Sequence, residues 1–177
     1  MTFRTTPSVV VRLLLWVLLL VGGAWLAHRI DRRFFDALWE NPLWHLSTLP
    51  IGLALMWLAF RAAAAGGRAL SRGGRSSPDV PRLETDRLVT EGIYAHMRHP
   101  MLFGLTLLPL AFAFCLGSPA FITMVAPIEM LLIVIMVMTL EEWECRKKFG
   151  TAYEKYADKV PAVCLSKECL KKLLFEH

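Results

Sequence analysis

Between Leu116 and Ala120 the chain has room only for Gly117, Ser118 and Pro119. These three residues join two apolar runs, MLFGLTLLPLAFAFCLG (101–117) and AFITMVAPIEMLLIVIMVMTL (120–140). A link that short forces its neighbours into an antiparallel helical hairpin. A bilayer-spanning helix needs about 20 mostly apolar residues. Two more runs of that kind precede the hairpin: SVVVRLLLWVLLLVGGAWLA (8–27) and LWHLSTLPIGLALMWLAFRAAAA (43–65), the second interrupted by Pro50. The expected fold is therefore all-α: a polytopic integral membrane protein with about four transmembrane helices. Composition agrees, since a mean hydropathy of +0.46 with only 20% charged residues is too apolar for an ordinary soluble domain.

The net charge of +5 does not point to nucleic acid, because the cationic residues cluster beside the apolar runs. Residues 66–99 carry Arg68, Arg72, Arg75, Arg82, Arg87 and Arg98; Arg146 and seven lysines follow residue 140; Arg4 and Arg12 lie near the start. The loop 28–42 balances three arginines with Asp31, Asp36 and Glu40. The positive-inside rule then places both termini and the 66–99 loop in the cytosol. The expected organisation is two N-terminal spans (1–65), a mobile cytosolic linker (66–85) rich in Gly, Ser, Ala and Arg, a core (86–163), and a short amphipathic tail (164–177). The first apolar run is longer than a signal-peptide core and is read as a retained helix.

After the fourth span comes EEWECRKKFGTAYEKYADKVP, in which Trp143, Phe149, Tyr153, Tyr156 and Val160 recur at roughly helical spacing. It reads as one amphipathic cytosolic helix ended by Pro161. Cys115, Cys145, Cys164 and Cys169 form no CxxC pair and fit no zinc spacing. They read as unpaired thiols in a reducing compartment, with no metal site.

Two constellations carry chemistry. Arg98-His99-Pro100 stands at the threshold of the third span, where a proline at the first helical position costs no hydrogen bond and the helix end offers free N–H groups. Arginine and histidine there suit a carboxylate. Glu141-Glu142 stands where the fourth span ends, against the negative end of the helix dipole, so a positive group is expected beside it. The hairpin puts the two pairs at the same depth. A pocket with a carboxylate receptor on one side and acids on the other fits a zwitterion with an extra positive charge, and S-adenosylmethionine is one molecule of that make-up. No GxGxxG follows a strand-like run, so a Rossmann cofactor site is not supported.

LVTEGIYAHMRHPMLFG, followed after a hairpin by EEWECRKKFGTAYEKYADKVP, resembles the isoprenylcysteine carboxyl methyltransferase family, whose superfamily includes phospholipid and thiol methyltransferases and NnrU-like membrane proteins. The match rests on Gly92, Tyr94, Arg98, His99, Pro100 and Gly104, then Glu141, Glu142, Phe149, Gly150, Tyr153, Tyr156, Val160 and Pro161. It covers about residues 86–161. The resemblance implies S-adenosylmethionine as cofactor, in a cytosolic-side pocket under the C-terminal helices. Arg98, His99, Pro100, Glu141 and Glu142 would line it, and the segment from Val89 through Gly92 to Tyr94 would hold the adenosine. It implies Arg98, His99 and Glu142 as the catalytic set, and a lipophilic acceptor entering from the bilayer: an isoprenylcysteine-like carboxylate, a phospholipid amine or a thiol. Where the family commonly has tyrosine after the proline, this chain has Leu102, a substrate-side position. The alternative is a non-catalytic NnrU-like membrane protein or complex partner that keeps the fold.

Glu129 lies inside the fourth span, a position where an ionisable residue is functional by default. At about 1.5 Å per residue it stands about 18 Å along the helix from Glu141. It reads either as a structural hydrogen-bonding group, with His45 as its candidate partner, or as a second substrate-side residue. His45 and His96 otherwise read as packing or interfacial residues.

Overall fold

In hydrocarbon every backbone N–H and C=O must be satisfied within its own segment, so the apolar runs become helices. The computed structural model describes residues 6–77, 80 and 85–175, with side chains from Leu14 onward. Arg4, Arg82 and the side chain of Arg12 lie outside that set. Helix α1 spans Thr6–Phe34, α2 Asp36–Trp39 and α3 Pro42–Gly73. A 3-10 turn at Gly92–Ala95 leads to α4, Pro100–Leu116. A long helix, Phe121–Phe149, follows. It consists of a π turn (Phe121–Val125), α5 (Ala126–Met136), a second π turn (Val137–Glu141) and α6 (Glu142–Phe149). Helices α7 (Thr151–Ala157) and α8 (Lys167–Phe175) close the chain, and the described residues contain no strand.

Among the described residues three helices are long and apolar enough to cross a membrane: Leu14–Phe34, Pro42–Gly73 and Phe121–Phe149; Pro100–Leu116 is a shorter apolar one. Leu18, Val21, Trp25, Leu53, Trp57 and Leu131 are exposed on them, as lipid-facing side chains are. The chain is an all-helical polytopic membrane protein, as its apolar runs predict.

The described residues fall into two compact units. One holds those up to Met56 together with Leu107–Leu131. Its core is built of Ala27, Ala113, Ala120, Phe121, Val125 and Ala126. Gly117 turns the chain at φ +63°, and its carbonyl accepts a bond from Trp44 Nε1 at 2.8 Å. Asp31, one of the three acids that balance the arginines of the 28–42 loop, is fully buried, accepting bonds from the Ser118 hydroxyl and from Ala120 N at 2.8 Å. His45 does not pair with Glu129: its Nε2 lies 2.7 Å from the Trp39 carbonyl. Glu129 is buried against Gly23, and its Oε2 has no hydrogen-bond partner.

The other unit holds the described residues of Trp57–Thr106 and Leu132–His177. Here the alanine-glycine run is not a linker from its start, because α3 continues to Gly73. Small residues let helices approach closely. A Cβ on Gly104 of α4 would lie 2.8 Å from Ala63 N and closer still to the Ala59 carbonyl oxygen. Neither backbone atom can give way. Gly104→Ala is therefore expected to cost roughly 1–3 kcal/mol in chemical unfolding. Gly67→Ala, where nothing lies within 4 Å of the added carbon, should be neutral or stabilising.

The single amphipathic helix expected after the fourth span is broken in two. Gly150, at φ +54°, separates α6 from α7, a conformation glycine adopts without steric cost. The expectation of four unpaired thiols is also corrected. Cys164 and Cys169 are joined in a disulfide, and Cys115 and Cys145 are free. No CxxC spacing announces that bond, because a turn brings the two sulfurs together.

Candidate functional site

The second unit brings together both ionic pairs singled out in the sequence. Pro100 opens α4, so Arg98 and His99 are the last residues before the helix. Their backbone is fixed by the chain after α7: Arg98 N donates to the Pro161 carbonyl and His99 N to the Ala162 carbonyl, both at 3.0 Å. Glu141 ends the second π turn and Glu142 begins α6. A π turn holds one residue more than an α turn, which re-aims the side chains that follow; such turns concentrate at functional sites.

Glu142 is the hub, only 4% exposed. Its Oε1 accepts from Arg98 Nε at 3.0 Å, His99 Nε2 at 2.8 Å and the Tyr153 hydroxyl at 3.0 Å, and Arg98 Nη2 lies 2.9 Å away. Its Oε2 faces Arg146 at 3.4 Å. A carboxylate is acceptor-only, so His99 carries its proton on Nε2. Arg98 Nη1 donates to the carbonyls of Ala157 (2.8 Å) and Val160 (2.9 Å). All three arginine nitrogens are thus engaged within the cluster. His99 Nδ1 faces the carboxylate of Glu141 at 3.8 Å, and Glu141 is the more open acid of the pair, its side chain 36% exposed.

Helix α7 frames the cluster. Tyr153 and Tyr156 are buried and meet edge to face. The Tyr156 hydroxyl donates to the Tyr94 carbonyl at 2.6 Å. Burial pushes the Tyr156 phenol up to about 12 and raises Tyr153 and Tyr94 as well. Tyr153 and Tyr156 therefore remain donors across the ordinary pH range. Gly92 starts the 3-10 turn at φ +62°, and Val89 lies near Gly73 of α3. Leu102 is buried in the first turn of α4. Glu129 belongs to the other unit.

Sequence reasoning takes Tyr153 only as part of the family pattern and Arg146 as a flanking cation; the structure places both against Glu142, completing its shell. The spacing of Phe149, Gly150, Tyr153 and Tyr156 was the available signal. Spacing alone does not say which tyrosine reaches an acid.

These helices and this cluster define an integral membrane protein with a largely buried ionic site at helix ends. The family model of the phospholipid methyltransferases matches residues 47–152, more than half of the chain. The chain belongs to that family, within the isoprenylcysteine and phospholipid methyltransferase superfamily, and its general class is that of the membrane methyltransferases. No solved structure matches it.

Proposed function

We propose that the protein transfers a methyl group from S-adenosylmethionine to a lipophilic or membrane-associated acceptor, at a site on the cytosolic face. The observation that carries this reading is the Glu142 hub, which gathers Arg98, His99 and Tyr153 on one carboxylate oxygen. The residues fit the cofactor chemically. Glu141 supplies an acid for its ammonium or sulfonium, and Arg146, 58% exposed, a guanidinium for its carboxylate. The segment from Val89 through Gly92 to Tyr94, with Pro100, would hold the adenosine. Bound there, the cofactor supplies an electrophilic methyl group.

The protein's own part is positioning and proton handling. Glu142 orients the imidazole of His99 through Nε2 and leaves Nδ1 toward Glu141. A carboxylate or thiolate acceptor needs no general base. An ammonium acceptor must lose a proton first, and the His99–Glu141 edge is the group to take it. Leu102 contributes an apolar wall where a tyrosine hydroxyl is common in the family. The cytosolic placement rests on the Arg and Lys flanking the apolar runs.

Calorimetric titration of the detergent-purified protein with S-adenosylmethionine tests this reading. Saturable binding is expected, weakened roughly tenfold or more by Glu141→Gln. A folded protein that takes up no cofactor would overturn it. Labelled methyl transfer in vesicles containing an amine phospholipid, against a prenylated cysteine substrate, then separates the acceptors.

A further inference from the structure

We propose that Cys164 and Cys169 form a reversible thiol–disulfide site controlling how firmly the C-terminal segment holds the backbone of Arg98 and His99. The bond joins residues five apart, with Cα atoms 6.0 Å from each other. Just before it, the Pro161 and Ala162 carbonyls accept the N–H groups of Arg98 and His99. Cys169 itself lies near the start of α8, which docks on the same unit. Lys172 Nζ donates to His96 Nε2 at 2.8 Å, and Leu173 is buried with Ala62 and Ala65. Arg61 donates to the Leu174 carbonyl, through Nε at 3.1 Å. The residues bridging these two docked pieces, Leu165 to Glu168, are exposed. The disulfide therefore ties the segment bonded to the Arg98 and His99 amides directly to the docked α8.

The chemistry of its surroundings makes the tie reversible. Cys169 is buried, 6% exposed, whereas Cys164 is partly open. The lysine-rich tail belongs on the cytosolic side by the positive-inside rule, and disulfides in that compartment are usually transient, catalytic or redox-sensing. A dithiol reductant attacks Cys164 as its thiolate. This breaks the Cys164–Cys169 bond, forms a mixed disulfide on Cys164, and releases the Cys169 thiolate, which takes a proton. The reductant's second thiolate then displaces Cys164, which leaves as a thiol. The reductant ends as a disulfide and the protein has gained two electrons and two protons. The consequence for catalysis rests on the methyltransferase reading, but the tie itself does not.

The test compares the full-length protein, detergent-purified without reductant, before and after dithiothreitol. Alkylation under denaturing conditions should label only Cys115 and Cys145 at first, and all four cysteines after reduction. Hydrogen exchange at the Arg98 and His99 amides and along α8 should speed roughly tenfold or more on reduction. Cys164→Ser leaves the buried Cys169 in place and should exchange like the reduced protein with or without dithiothreitol. Four alkylated cysteines before reduction, even after treatment with oxidised glutathione, would overturn the proposal. So would unchanged exchange at Arg98 and His99, or an equal rise at the interior amides of α4, which would make the bond a general brace. If exchange responds as expected while S-adenosylmethionine binds neither form, the tie stands and the methyltransferase reading falls.

Discussion

Glu142→Ala is expected to destabilise the protein by about 3–5 kcal/mol, the cost of stranding buried charge. The alanine removes the one oxygen on which Arg98, His99 and Tyr153 converge. The Arg98 side chain, only 11% exposed, keeps its bonds to the Ala157 and Val160 carbonyls but loses its counter-charge. Glu142→Gln keeps an acceptor oxygen and should cost less. Tyr153→Phe, which removes one donor, should cost about 1–1.5 kcal/mol. A double-mutant cycle gives the sharper result. Arg98→Met combined with Glu142→Ala should lose clearly less than the sum of the single changes, because the second change removes the charge the first one stranded. Unfolding in mixed micelles, followed by tryptophan fluorescence, measures each of these variants against wild type. A Glu142→Ala protein within about 1 kcal/mol of wild type, below the range for a buried pair, would mean that water reaches the cluster and that Glu142 is not its hub.

Where the sequence read correctly, one physical rule dominated its residues. Long apolar runs have no alternative to helix in hydrocarbon, so α1, α3 and the helix from Phe121 were legible from hydropathy alone. The meeting of Arg98-His99 with Glu141-Glu142 was legible because a three-residue link leaves the hairpin little freedom. The readings that failed concern residues whose partners are distant in sequence or whose local preference is ambiguous. Gly66 looks like linker by composition, yet smallness also serves close helix packing, and Gly66 lies within α3 with Met101 against it. Helical spacing from Trp143 to Val160 gives no warning that Gly150 takes a positive φ. The Cys164–Cys169 bond depends on the turn between them, which spacing motifs do not describe. Within the site the acids and bases were legible as charges out of place. The saturation of one Glu142 oxygen was not, since it depends on the π turn at Val137–Glu141 and on where α7 lies.

Asp31→Ala is expected to cost about 3 kcal/mol, a large penalty for a residue that the sequence shows only as one acid balancing the arginines of its loop. Asp31 is completely buried and closes the start of the helix that follows Gly117-Ser118-Pro119. The first turn of any helix has N–H groups without intrahelical partners, and Pro119 reduces their number by one. Asp31 accepts from Ala120 N at 2.8 Å and from the Ser118 hydroxyl; Ser118 Oγ in turn accepts from Phe121 N at 3.1 Å. The carboxylate thus satisfies one backbone donor directly and another through the serine, and its charge stands at the favourable end of the helix dipole. Ordinarily a cap comes from the residue just before its helix; here it comes from α1, far back in the chain. Asp31→Asn should fall between alanine and wild type, since its carbonyl oxygen can still receive Ala120 N while its charge is gone. Ser118→Ala should cost about 1 kcal/mol and should matter little once Asp31 is already alanine. If instead Asp31→Ala and Ser118→Ala add independently in the unfolding measurement, the two side chains do not act as one cap. The hairpin would then owe its start to the Gly117 turn and Pro119 alone.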